Sequence, residues 1–197
     1  MHATVVFAHP DPASFGHAVL DRVVRGLERS GHRVTVLDLY AIDYPGSMSP
    51  AEWQAYASGS PILDEVVAEH AALVQSTDAL VFVYPTWWSS VPAILKSWFE
   101  RTLVEGVAFT LEGPKHRLTP RLAGIRNVVG VTTYGSSWWY VKLVNDAGRR
   151  TILRTVGLLT SGRARLSWHG LYSLDGQTPR RRARFLDDVE RAMGALR

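Results

Sequence analysis

Two short stretches carry the side chains from which chemistry can be built. Residues 85–90 read Pro85, Thr86, Trp87, Trp88, Ser89, Ser90, and residues 132–140 read Thr132, Thr133, Tyr134, Gly135, Ser136, Ser137, Trp138, Trp139, Tyr140. Each sets hydroxyls beside large aromatics where an ordinary turn carries small polar residues. Indoles flanked by hydroxyl groups make a flat, polarisable wall with a few hydrogen-bonding points, suited to a planar heteroaromatic ring. The plainer possibility, that the indoles of residues 87 and 88 pack beneath their own loop, stays open on the pattern of that loop alone. A third stretch, His9 to Gly16, precedes a helical pattern. Free backbone N–H groups at a helix start suit a phosphate, with His9, Ser14 and His17 as added donors. It is not the GxGxxG fingerprint, and spacing alone favours Ser14 as a simple cap and His9 as a turn residue.

The rest of the composition removes competing chemistries. The 197 residues contain no cysteine, which excludes disulfides, thiol catalysis, cysteine zinc sites and iron–sulfur clusters, and no metal is expected. A reaction must then use other groups or a cofactor. Hydrophobic residues at 46% and charged residues at 20% are globular values, and no apolar run reaches the roughly 18 residues that cross a bilayer, so no integral membrane segment is expected. The opening MHATVVFAHPD runs directly into a strand without a basic region or signal core, so cytoplasmic residence is the expectation. The net charge of +4 comes mainly from arginine without aromatic interleaving, which argues against a nucleic-acid platform. A hydrolase built on Ser14, His17 and Asp21 fails, because Ser14 lies in a turn while the other two share a helix face with no oxyanion loop.

Hydrophobic periodicity supplies the elements that position these loops. Buried strands are read at 4–8, 79–84 and 127–133, an alternating strand at 32–39, and a fifth at 164–172. Helices are read at 17–30, 62–75, from Pro92 onward through Leu103, at 141–159 with an interruption near 146–148, and at 178–196. Residues 40–61 form a long connection with a short helix at 50–57, of a length typical of a lid or binding loop. Residues 106–111 read as extended and 112–126 as an irregular polar connection. His70 reads as a packed or rim histidine. The alternation of strand and helix gives one α/β domain over residues 1–197, a doubly wound five-stranded parallel sheet. In such a sheet the loops after the first, third and fourth strands meet at one carboxyl edge, and that convergence favours a flavin site.

The segments YPTWWSSVPAILKSWFERTLVEGVAFTL, VTTYGSSWWY, AHPDPASFGHA and DLYAIDY resemble the flavodoxin-like NAD(P)H:quinone oxidoreductases, the DT-diaphorase family with its shorter bacterial relatives. The resemblance implies the flavodoxin-like strand order 2-1-3-4-5 and a bound flavin, FAD or alternatively FMN. It also implies a homodimer with active sites at its interface, and hydride transfer from NADH or NADPH to a quinone or similar small planar electron acceptor. By the same resemblance, His9, Ser14, Phe15 and Gly16 hold the flavin phosphates, and Pro85, Thr86, Trp87, Trp88 and Ser89 run along the ring. Thr132, Thr133, Tyr134 and Gly135 meet its polar edge. Tyr140 is the catalytic tyrosine, hydrogen-bonded to the flavin, and Trp88, Trp138 and Trp139 form the substrate pocket. Gly16 stands where asparagine is usual, Tyr134 where glycine is common, and Asp146 where the animal enzymes carry the histidine paired with their active-site tyrosine. Azo or nitro reduction, and an accessory subunit of a potassium-efflux system, are alternatives with the same site.

Overall fold

In the computed structural model, which describes residues 1–57 and 61–197, the site rests on a five-stranded parallel sheet of order β2-β1-β3-β6-β7. Its strands are β1 (His2–Phe7), β2 (Arg33–Asp38), β3 (Ala79–Pro85), β6 (Asn127–Thr133) and β7 (Arg165–Leu171). Counting only sheet strands, this is the expected order 2-1-3-4-5. Every residue of β1, β3 and β6 is buried, as continuous apolar runs demand when helices cover both faces. The edge strand β2 is mostly half-buried, with Arg33 and Val36 exposed and Leu37 buried.

Helices α1 (Phe15–Arg29) and α8 (Pro179–Gly194) cover one face and bury Val19, Val23, Leu27, Val189 and Met193 against Val5, Phe7, Val81 and Val129. They cross closely because residue 26 has no side chain: a Cβ on Gly26 would lie 2.4 Å from the carbonyl oxygen of Glu190. On the other face, α3 (Glu65–Ser76) and α4 (Ala93–Thr102) pack Val67, Val74, Leu95 and Trp98 over Leu80, Phe82 and Val128. His70 belongs to this packing. It accepts a hydrogen bond from the Trp98 indole N–H at 3.1 Å and stacks on Tyr44, and burial pushes its pKa down.

The long connection after β2 contains α2 (Pro50–Ala57), closed by a reciprocal capping box. The Ser49 amide donates to Glu52 at 2.7 Å, and the Glu52 amide donates to the Ser49 hydroxyl at 3.2 Å. Glu52 also pairs with Arg101 of α4, both side chains being buried, and Arg101 donates to the Pro45 carbonyl at 3.1 Å. Residues 58–60 of this connection lie outside the described residues.

The stretch read as irregular differs in structure. β4 (Phe109–Glu112) and β5 (Arg117–Pro120) form a separate antiparallel hairpin around Gly113 and His116, both at positive φ. The region after β6 is also more broken than one interrupted helix. α5 (Trp138–Leu143) stops at Val144, α6 (Ala147–Arg150) begins after left-handed Asn145 and Asp146, a π-helical turn follows at Thr151–Val156, and α7 (Gly157–Leu159) ends the segment.

Candidate active site

Because β1, β3 and β6 are parallel neighbours, the three chemistry-bearing loops leave the sheet at the same edge. The loops after β3 and β6 are tied together. Pro85 pairs with Thr133, the Thr86 amide donates to the Thr133 carbonyl at 2.8 Å, and the Thr86 and Thr132 hydroxyls lie 3.0 Å apart. Thr132 in turn donates to the Tyr84 carbonyl at 2.7 Å, so its hydroxyl is committed within the frame.

Trp87 and Ser90 exchange both backbone hydrogen bonds, at 3.1 and 3.0 Å, across a two-residue turn. The central residues Trp88 and Ser89 have φ of 50° and 57°, the pair of positive angles a type I′ turn requires and that glycine or asparagine normally supplies. A bulky residue held there is strained and needs a reason. The turn holds the Trp88 side chain 100% exposed at the rim, while Trp87 approaches the His9 ring at 6.1 Å.

Between the two loops lies a cavity of about 260 Å³ lined by Thr86, Trp88, Ser89, Tyr134, Gly135, Ser136, Tyr140, Val141 and Val144. Among the described residues no acid, amine, guanidinium or imidazole faces it, and Thr86, Ser89, Ser136 and Tyr140 supply hydroxyls. Of the residues expected from sequence, Thr86, Trp88, Ser89, Tyr134, Gly135 and Tyr140 meet in this cavity. Pro85, Thr132 and Thr133 are buried beneath it. Trp138 instead lines a separate cleft with Tyr172, Arg181, Arg184 and Phe185. Trp139 projects into solvent and lines neither space. Ser136, Val141 and Val144 were not singled out. The loop residues Tyr172 and Ser173 after β7, which the Tyr134 and Ser136 carbonyls tie to the rim through the amides of Leu174 and Ser173, were also missed.

The loop after β1 makes its own rim. Asp11 accepts from the Ala13 amide at 2.8 Å, and His9 Nδ1 accepts from the Asp11 amide at 3.1 Å. Ser14 is the N-cap of α1 and accepts from the His17 amide at 3.3 Å. Gly16 has a local reason: a Cβ there would stand 3.2 Å from the His9 ring and 3.3 Å from the Ser14 hydroxyl oxygen. The absence of a side chain at 16 thus makes room for His9. Burial, then the neighbouring His17, lowers the His9 pKa, which favours the neutral ring.

Tyr134 does not obstruct the cavity. It is 1% exposed, lies flat on Tyr172 with ring centroids 4.5 Å apart, and points its hydroxyl inward to both carboxylate oxygens of Asp146 at 3.1 Å. Asp146 is buried, and that burial raises its pKa against the opposing pull of Tyr134, the Arg149 amide, Arg149 and Lys142. The carboxylate therefore pairs with Tyr134 rather than with Tyr140. Burial also drives the Tyr134 phenol well up, so it stays a neutral donor. Among the described residues no cluster of three or more histidines, cysteines or carboxylates is placed to hold a metal, and no helix is long and apolar enough to cross a membrane.

A buried parallel sheet with ligand-sized space at its carboxyl edge is the flavodoxin-like architecture, and the model of the family described as flavodoxin-like fold matches residues 1–158. The chain belongs to that family. Its curated relatives include the ribosyldihydronicotinamide dehydrogenase (quinone) of Pongo abelii, 34% identical over 155 residues that cover 70% of this chain and 65% of the relative. The chain thus spans about two thirds of that relative's length. An NAD(P)H:quinone oxidoreductase structure from Methanothermobacter marburgensis superposes with a TM-score of 0.84 at 28% identity, covering 100% of this chain and 99% of that one. A structure from Streptococcus mutans gives 0.85 at 25% identity with 100% coverage of both.

Proposed function

We propose that the chain is a flavin-dependent NAD(P)H:quinone oxidoreductase. The observation that carries this reading is the uncharged cavity between the β3 and β6 loops, walled by one indole and two tyrosine rings, with hydroxyls from Thr86, Ser89, Ser136 and Tyr140. Its volume lies just below the roughly 300–1,000 Å³ usual for a whole ligand, which suits a fused ring whose tail runs out along the surface. The fit to a flavin is therefore good on donor chemistry: neutral hydroxyls and loop amides for the polar edge of the ring, and the Ser14-capped start of α1 for its phosphate. His9, Phe15 and Gly16 stand beside that start. Arg181 and Arg184, in the cleft with Trp138 and Tyr172, give an adenosine diphosphate tail a place to lie, which supports FAD over FMN.

When bound, a flavin supplies two-electron hydride chemistry, accepting from NADH or NADPH and donating to a quinone in a ping-pong sequence. The chain's part is to bind, orient and shield. Trp88 offers an aromatic face at the cavity mouth for a planar partner, and Trp138 and Trp139 stand exposed at the start of α5. The Tyr140 hydroxyl is placed to donate a hydrogen bond into the cavity, and Gly135 lines the same edge. The exposed aromatics at the rim support a second copy of the chain as the missing wall. The test is an absorbance spectrum of the purified protein, release and identification of the chromophore, and steady-state NADH and NADPH oxidation with a quinone. A protein that stays colourless with added FAD or FMN overturns the reading.

A further inference from the structure

Beside the candidate active site, on the far side of α5, is a second cavity of about 240 Å³ lined by Lys142, Asn145, Asp146, Arg149, Arg150, Leu153 and Arg154. It shares α5 and the loop after it with the first cavity: Tyr140, Val141 and Val144 face one space, and Lys142, Asn145 and Asp146 the other. Four cations meet here against one carboxylate. That carboxylate is already engaged by the Tyr134 hydroxyl. Among the described residues none of Lys142, Arg149, Arg150 and Arg154 makes a side-chain ion pair or hydrogen bond, and Lys142 only leans over the Trp138 ring at 5.5 Å.

The arginine-lined cavity between two of the helices makes a contrast. Between α1 and α8, Arg22 pairs with Asp187 and Glu190, Arg29 with Glu190, and Arg191 with Asp188. Those guanidinium groups are neutralised by the fold itself. The Lys142 to Arg154 group is left positive, concave and adjacent to the place where a redox partner would dock. Three guanidinium groups converging on one hollow match the oxygens of a phosphate, which they can grip in bidentate fashion.

We infer that this cavity is a phosphate subsite that takes the 2′-phosphate of NADPH, so that the dinucleotide lies across α5 with its nicotinamide end at the mouth of the first cavity, beside Trp88. The inference rests on the oxidoreductase reading for the identity of the nucleotide, and its test reads binding without turnover. The flavin-loaded wild-type protein is titrated calorimetrically with adenosine 2′,5′-bisphosphate, with 5′-AMP and with inorganic phosphate, in low and high salt. Binding of the bisphosphate at least tenfold tighter than 5′-AMP, weakened by salt, and reduced at least tenfold in Arg150→Gln/Arg154→Gln, supports the subsite. Both arginines are exposed, so their removal leaves the fold intact, and Arg25→Gln/Arg29→Gln, also exposed and away from the cavity, serves as a charge-matched control that keeps wild-type affinity.

Equal affinity for bisphosphate and 5′-AMP overturns the inference, as does a loss of equal size in the control. Inorganic phosphate bound as tightly as the bisphosphate, with no nucleotide preference, assigns the hollow to a free anion and also overturns the dinucleotide reading. If the protein binds flavin and reduces quinone but shows no 2′-phosphate preference, this inference fails alone. If it takes no flavin, the oxidoreductase reading fails while the titration of the unloaded protein still reports on the phosphate site.

Discussion

Tyr134 and Asp146, read from the sequence as two separate departures from the family it resembles, meet in one contact. The phenol is buried beneath the cavity wall and needs an acceptor, and the carboxylate is buried and needs a donor. Removing the donor with Tyr134→Phe should cost about 1–3 kcal/mol in denaturant unfolding at pH 7, because a buried carboxylate is left short of a partner. Asp146→Asn should behave in the opposite way. Folding raises the Asp146 pKa, so its contribution to stability is full below the unfolded value of 3.8 and is lost as pH rises through the raised one. The neutral amide keeps an acceptor for Tyr134 without that loss. The variant should exceed wild type in stability at pH 7, and the gap should close in acid; a gap that widens in acid would sink the argument. Tyr140→Phe, by contrast, should leave stability unchanged and slow quinone reduction about tenfold, the equivalent of one hydrogen bond of about 1.4 kcal/mol. Sequence located all three side chains, but not the partnership: nothing in spacing shows that residue 134 turns inward to residue 146.

At the scale of elements, the fold depends on how α2 and the long connection are fastened to α4. Arg101 and Glu52 are both buried, and such a pair is costly to break from one side. Arg101→Ala should destabilise the protein by about 3–5 kcal/mol, measured by chemical denaturation, whereas Lys96→Ala, which breaks only the exposed pair with Glu100, should lie near zero. Burial alone would push Glu52 up, but the Ser49 amide, Arg101 and the Ser49 hydroxyl together outweigh it and hold its pKa down. Its stabilisation is therefore full above the unfolded value of 4.5 and is lost as pH falls through the lowered one. Elements with a one-sided apolar stripe or a doubly buried run were legible to within a few residues. Of the β4–β5 hairpin only the extended run at 106–111 was legible, because Leu111 and Leu118 are exposed and both strands are short, so no buried face imposes a period on β5. The π-helical turn was likewise hidden, since its apolar residues fit an ordinary helix equally well.

At the scale of the whole molecule, the shared edge of the loops followed from the βαβ pattern and the sheet order from the family resemblance, while the company the rim keeps followed from neither. Apolar side chains crowd that rim: Trp88 is fully exposed, Trp138, Trp139 and Leu143 are 57%, 65% and 74% exposed, and all four sit on the loops or helix that border the cavity. A monomer would leave this surface wet, whereas a two-fold pairing would cover it and complete the open side of the cavity with the partner's residues. A stable pairing of this kind buries on the order of 1,200–2,000 Å² in total. Sedimentation velocity should therefore give about twice the 21.9 kDa chain mass. Leu143→Asp, outside the cavity lining, should shift the protein toward one chain and lower flavin retention and quinone turnover together. In wild type, specific activity should fall on dilution through the dissociation constant and recover on concentration, since half of each site would be carried by the other copy. Wild-type protein that sediments as a single chain at tens of micromolar while turning over quinone at full rate would show that one copy holds a complete site, and the exposed indoles would then have to act on the acceptor alone.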